Sequence, residues 1–203
     1  MKCLVTGFEA FEGVEKNPTE EIVRSLPSSI GGVSVTTRVL PVEYGVVDRL
    51  IPDELYLSVD SVFMLGAAGE AQFGRLEAQA FNLCDSVVAD NKGQIETSSV
   101  IEPGLAPGAV LSGETAIDAL LTATDYSPMP WRRSEDPGRF VCNDSYFRML
   151  HRASGRTTPC PTLFVHIPVP GRDDSVWAHD IIEESVRALL SEFLTLTKGS
   201  LGG

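Results

Sequence analysis

The 203-residue chain has few cysteines: Cys3, Cys84, Cys142 and Cys160 are scattered, with no CxxC pair among them. Without such a pair there is no zinc knuckle and no dithiol redox motif, so no metal and no other cofactor is expected. The same scatter argues for free thiols in a reducing cytoplasm rather than a disulfide framework. Basic residues are also scarce, 16 Lys and Arg against 28 Asp and Glu, for a net charge of −12. A surface of that sign repels phosphate backbones and anionic lipid, so neither nucleic acid nor membrane is an expected partner, and the acidity itself reads as a well-solvated exterior. No apolar run approaches the roughly 20 residues of a membrane span. The opening MKCLVTGF is too short to hold the roughly 7–15-residue apolar stretch of a secretory signal.

What is present suffices for a core. With 43% hydrophobic and 22% charged residues, the chain reads as one domain over residues 1–203, since domains commonly run to roughly 100–200 residues. Residues 2–6 form a short apolar strand stopped by Gly7, Val33 to Val39 alternate as a second strand, and Ser61 to Leu65 form a third, closed by Gly66. Asn17 and Pro18 suit the cap and first position of a helix that carries Ile22 and Leu26 on one face and ends at Pro27. The following segment to Leu57 has helical spacing that Pro52 must kink or split. Gly74 to Leu83 reads as a strand. Ser112 can cap a helix with Ile117, Leu120 and Leu121, Thr124 to Pro137 reads as a polar connection, and a helix covers roughly Phe140 to Arg152. Thr162 to Ile167 is another strand, ended by Pro168. A last helix from near Ser175 aligns Ala178, Ile182, Val186, Leu189 and Phe193, before a tail over about 197–203 that is expected to fray. Alternating strands and helices predict an α/β fold, a three-layer α/β/α sandwich around a mixed, mostly parallel central sheet.

Cys142 falls in the opening turn of its helix, where unpaired N–H groups and the helix dipole favour a thiolate. Against that, Glu135, Asp136 and Asp144 stand close in sequence and would raise the thiol's pKa, and a buried structural cysteine is the plainer alternative. His166 lies near the end of an apolar strand, where open α/β sheets gather their sites, although a histidine among hydrophobes is commonly a core residue bonded to backbone. Glu77 sits in a strand, where a solvent-facing carboxylate is the plain reading. His151 and His179 lie on helices at surface or satellite positions. Cys3, Cys84 and Cys160 read as packing or surface residues.

The words around these three residues, taken in order, resemble the pyroglutamyl peptidase I family of cysteine peptidases. Val5-Thr6-Gly7-Phe8-Glu9-Ala10-Phe11-Glu12-Gly13 with Asn17-Pro18-Thr19 is similar to that family's VTGFxPFGG…NPS/T opening, and Leu40-Pro41-Val42 to its LPV. Gly66 through Glu77, Asn82 and Asp90-Asn91-Gly93 follow its glycine-rich, glutamate and PDNxG words without a gap. Gly138-Arg139-Phe140-Val141-Cys142-Asn143 resembles AGTFxCN, and Val165-His166-Ile167-Pro168 resembles the HVP histidine word. The resemblance implies that Cys142 is the nucleophile, that His166 is its base and later the acid, and that Glu77 holds the imidazole. It further implies that Asn17 supports the first loop while Phe8, Phe11 and Phe140 wall an apolar pocket for a lactam ring. The substrate would be a peptide with a blocked N-terminus, and the chain would assemble as a tetramer or dimer.

This sequence departs from the family words at named places. Val87 stands ten residues after Glu77, where the family has an arginine beside the oxyanion, so Arg75 or Arg139 is expected to supply that charge. Gly69-Glu70-Ala71 replaces a small residue, Gly and Arg; Ala10 replaces a Pro, and Glu12 a Gly. Three readings therefore stand side by side: removal of a pyroglutamyl group, hydrolysis of another small cyclic or acyl amide by the same triad, or a silent protein that keeps the fold and binds a ligand. The nucleoside phosphorylases share a related α/β architecture, but no GxGxxG or P-loop word is set between a strand and a helix as phosphate binding would need.

Overall fold

The computed structural model describes every residue except Glu12, Glu114, Asp173, Asp174, Gly202 and Gly203, and Leu201 by its backbone alone. The remarks above on Glu12 therefore lie outside the described residues. Among the described residues nine strands are present: β1 (Lys2–Phe8), β2 (Ser29–Ile30), β3 (Val33–Leu40), β4 (Ser61–Ala68), β5 (Gly74–Glu77), β6 (Gln79–Phe81), β7 (Val110–Ser112), β8 (Trp131–Ser134) and β9 (Thr162–Pro168). Six helices accompany them: α1 (Pro18–Ser25), α2 (Val46–Leu50), α3 (Asp53–Leu57), α4 (Ile117–Ala123), α5 (Val141–Ser154) and α6 (His179–Leu201).

Seven strands make the central sheet in the order β2-β3-β1-β4-β9-β5-β8, while β6 and β7 pair separately. β3, β1, β4 and β9 run parallel; β5 pairs antiparallel with β9 and parallel with β8. The single-domain α/β fold with a mostly parallel, mixed sheet is thus as expected. Successive side chains of a strand point to opposite faces, and here the two faces bury different things. Cys3, Val5, Phe63, Leu65, Leu163, Val165 and Ile167 join Ile22, Leu120, Val186 and Phe193 in one apolar layer with α1, α4 and α6. Leu4, Val62, Met64 and Phe164 join Val47, Tyr146, Phe147 and Leu150 in the other, under α2 and α5.

The local chemistry explains most boundaries. Asn17 Oδ1 accepts from the Thr19 N–H and Pro18 opens α1, so the cap works as its residue types require. Pro52 splits its segment, α2 ending at Leu50 and α3 starting at Asp53. Other expectations need correction. Ser112 caps nothing; it ends β7, and α4 begins at Ile117 after Ala116. The polar connection contains an edge strand, β8, whose Trp131 packs against Gly74 so closely that a Cβ there would stand 2.1 Å from the indole. β5 and β6 are broken at Ala78, because β6 leaves the main sheet to pair with β7. The last helix starts at His179 rather than near Ser175 and runs to Leu201.

Candidate active site

β4, β9 and β5 carry the site at one end of the sheet, and the strand period decides which residues meet. Glu77 is paired with Phe164 across β5 and β9, and Arg75 with His166. Gly66 on β4 is paired with His166 in turn. Paired residues share a face, as do residues two apart, so Gly66, Phe164, His166, Glu77 and Arg75 all point toward α5. Gly66 creates the room. A Cβ at that position would stand 2.7 Å from the Phe164 ring and 3.0 Å from Cys142 Sγ, so only glycine lets helix and strand approach this closely.

His166 Nδ1 lies 2.8 Å from Glu77 Oε1, with the histidine 6% and the glutamate 0% exposed. A carboxylate cannot donate, so Nδ1 carries the hydrogen and the other ring nitrogen is left for the Cys142 thiol, with which it hydrogen bonds. Burial on its own lowers the imidazole pKa. The charge and hydrogen bond of Cys142, joined by those of Glu77, outweigh it and raise His166 to about 10. Glu77 is itself fixed from behind, since the Tyr146 hydroxyl donates to its backbone carbonyl at 3.0 Å, while its Oε2 has no partner among the described residues.

Cys142 is the second residue of α5, among N–H groups that have no partner within the helix. The neighbouring acids that argued against activation are all engaged. Asp144 accepts from Gly45 N and from Arg148 Nε, each at 2.9 Å, Glu135 pairs with Arg133, and Asp136 pairs with Arg139. The other three thiols are buried: desolvation pushes Cys3 and Cys84 up to about 12 and raises Cys160. All four are unpaired, and Cys142 alone is partly exposed.

Two hollows that share lining residues adjoin the thiol. A small one of about 60 Å³ is lined by Phe8, Phe11, Asn17, Val42, Ala67, Phe140, Val141 and Cys142, so the three phenylalanines named from the resemblance line it together with Asn17. Tyr44 braces Phe140 edge to face at 5.6 Å. Asn17 is spent on structure, its amide donating to Glu9 O while its oxygen caps α1. The larger hollow, about 430 Å³, shares Phe11, Ala67, Phe140 and Cys142 with the first and adds His166, Glu70, Arg75, Asp136 and Arg172. Of the arginines weighed against Val87, Arg75 lines this cleft. Arg139 instead lies over Phe81 at 3.8 Å and pairs with Asp136 at 2.6 Å. Val87 itself is 94% exposed. His151 and His179 stand apart, beside Glu102 and Glu21.

Sequence reasoning assigned no role to several supporting residues. Asn143, fully buried, accepts from Phe81 N and donates to Phe81 O and Leu83 O, tying α5 to β6. Asn91 donates to Ala10 O and so holds the loop that carries Phe11, while Asp90 accepts from the N–H of Tyr44, which braces Phe140. Buried polar residues inside quoted words were the available signal. Among the described residues no three His, Cys, Asp or Glu side chains gather as metal ligands, and no helix is long and apolar enough to cross a membrane.

Known proteins share this arrangement of words and strands. The family described as Pyroglutamyl peptidase matches residues 1–178. The chain belongs to the pyroglutamyl peptidase family. It is 34% identical over 169 residues to the pyrrolidone-carboxylate peptidase of Thermococcus onnurineus, covering 83% of this chain and 84% of that one. It is 31% identical over 204 residues to pyrrolidone-carboxylate peptidase 1 of Ralstonia nicotianae, covering 94% and 92%. The crystal structure of the pyrrolidone carboxyl peptidase of Fervidobacterium islandicum superposes with a TM-score of 0.85 at 29% identity, over 96% of this chain and 99% of that one. As a family member the chain is a cysteine-type peptidase, and its substrate class is peptide.

Proposed function

We propose that this protein removes N-terminal pyroglutamyl groups from peptides, with Cys142 as nucleophile, His166 as base and then acid, and Glu77 holding the imidazole. The observation that carries this is the enclosed Glu77–His166 pair beside the Cys142 thiol, at the seam of an apolar recess and a polar cleft. The lactam ring is flat and uncharged, and aromatic walls give it contact area without demanding charge partners. Phe8, Phe11 and Phe140 supply those walls, and Asn17 keeps their loop in shape.

In this reading the Cys142 thiolate attacks the carbonyl carbon that follows the lactam ring. The oxyanion takes up N–H groups at the start of α5, where the dipole favours negative charge. The C–N bond then breaks, His166 gives its proton to the departing amine, and a thioester remains. Water, deprotonated by His166, attacks the thioester, releasing pyroglutamate and regenerating the thiol. Val87 offers no charge to the oxyanion. Arg139 is the arginine nearest in sequence before the start of α5, and its loop touches that of Val87 through the Asp85 N to Arg139 O bond. Moving to the oxyanion would require it to leave the largely exposed Asp136, and an exposed pair holds it weakly. Because the reaction needs a free thiol, the fitting compartment is a reducing cytoplasm.

Hydrolysis of a pyroglutamyl amide by the intact protein beside Cys142→Ala tests the proposal. Turnover by the first and a loss of roughly 10³-fold or more in the second is the expected result. Turnover of alanyl or prolyl amides in place of pyroglutamyl would overturn the substrate assignment, and activity retained by Cys142→Ala would overturn the nucleophile.

A further inference from the structure

Across the face beneath α5 the strand order sets a direction. The apolar recess lies toward β1 and β4, with Phe8, Val42 and Ala67. Cys142 Sγ sits above Gly66 on β4, His166 follows on β9, and Arg75 on β5 is the direct cross-strand partner of His166. Neighbouring strands are about 4.8 Å apart. If the lactam occupies the recess, the departing amine, protonated by His166, leaves in the direction of Arg75. In a pyroglutamyl dipeptide the carboxyl carbon lies two bonds, about 2.5 Å, beyond that nitrogen. A guanidinium one strand further on can meet it.

Arg75 is poised for such a ligand. Its side chain lines the cleft and is 25% exposed, and its partner there is Glu70, at 3.4 Å and 73% exposed. A pair that loose and that wet contributes little, so an incoming carboxylate can replace Glu70. Two other charged groups face the same space. Asp136 is neutralised by Arg139 at 2.6 Å, and Arg172 adds a second guanidinium, which also donates to Gly13 O. Arg132, the partner of Arg75 on β8, prolongs the row of cations, stacked on Phe73 at 3.9 Å. In a chain of net charge −12 such a row is a local exception.

Resting on the pyroglutamyl reading, we infer that Arg75 is a specificity residue for the leaving group: it binds the free α-carboxylate of a pyroglutamyl dipeptide and makes such dipeptides preferred over their amides. This differs from a charge placed at the oxyanion, which would serve every substrate alike. Calorimetric titration of Cys142→Ala protein with pyroglutamyl-alanine and with pyroglutamyl-alanine amide is the test, repeated in the Arg75→Gln and Arg75→Lys backgrounds. The acid should bind about 10-fold or more tightly than the amide, the ratio should fall to within about 2-fold in Arg75→Gln, and Arg75→Lys should restore part of it. Equal binding of the two ligands, a preference that survives Arg75→Gln, or binding of neither overturns the inference. Because the readout is a ratio within one protein, a partly unfolded variant lowers both affinities without imitating the result. Turnover of pyroglutamyl β-naphthylamide by the intact protein, a substrate without a carboxylate, reports separately on the proposed activity. Turnover there without an acid preference removes the inference alone, whereas an Arg75-dependent preference without turnover removes the activity alone.

Discussion

The two faces of the central sheet are made by the same strands, yet they solve different problems. β9 sends Leu163, Val165 and Ile167 to one side, where they pack into an apolar layer with residues of α1, α4 and α6. To the other it sends Phe164 and His166, and there Glu77, Asn143 and Asp144 are buried as well. The first face is held by removal of apolar surface from water. The second surrenders part of that gain to keep an ionisable pair dry, and it meets the desolvation cost with specific partners: Glu77 for His166, Arg148 and Gly45 N for Asp144, and backbone carbonyls of Phe81 and Leu83 for Asn143. Stability and chemistry are thus segregated by strand parity. A substitution should damage one or the other according to the face it occupies.

The sharpest break of this comparison is Glu77→Gln. It preserves volume but removes the charge that orients the imidazole, and a fall in kcat of roughly 10²–10⁴-fold is expected. The same variant tests the pH dependence. With the pKa of His166 raised to about 10, its protonated form supports proton donation to the leaving amine below that value and is lost as pH rises through it. In linkage terms the pair's contribution to stability is present in full below the unfolded histidine value of about 6.5 and disappears as pH rises through the folded value. Glu77→Gln should move the alkaline limb of kcat downward; an unmoved limb would remove Glu77 from the pair.

Leu163→Ala is the counterpart on the other face. It should cost about 2–5 kcal/mol in denaturant unfolding with kcat retained in the folded fraction; a fall in kcat at full folding would show that the faces are not separable. Gly66→Ala probes the seam, since its Cβ meets both Phe164 and Cys142 Sγ. A drop in kcat of about 10–100-fold with slowed thiol alkylation is expected, and unchanged alkylation would mean that the helix yields without moving the thiol. The smallest effect expected is that of Arg139→Ala, about 10-fold in kcat at constant KM. An unchanged kcat would leave the α5 N–H groups as the sole oxyanion donors.

Much of this was legible in the chain. Asn17-Pro18 announced α1, alternation announced β3, and the order of the words around Glu77, Cys142 and His166 carried the family. Those signals are local, because caps, periods and short words depend on residues within a turn or two of each other. β8 was hidden because Trp-Arg-Arg-Ser is too short and too polar to show a period, and it is a strand only because β5 offers it an edge. The break at Ala78 was hidden for the same reason, since β7 claims β6 from thirty residues away. Ser112, a good cap by type, lost its helix to that same pairing.

The sequence by itself determined the layer architecture and, through the order of its words, the family, and it named Glu77, Cys142 and His166 as candidates. Only the tertiary structure decided that they meet. The antiparallel register of β5 on β9 sets Glu77 and Arg75 on the same face as His166, and a slip of one residue would have sent both into the apolar layer. It also divided the two arginines that the sequence offered as equals, turning Arg75 into the cleft and Arg139 onto Phe81. Local patterns specify what a residue can do, but strand register is a property of two distant segments at once.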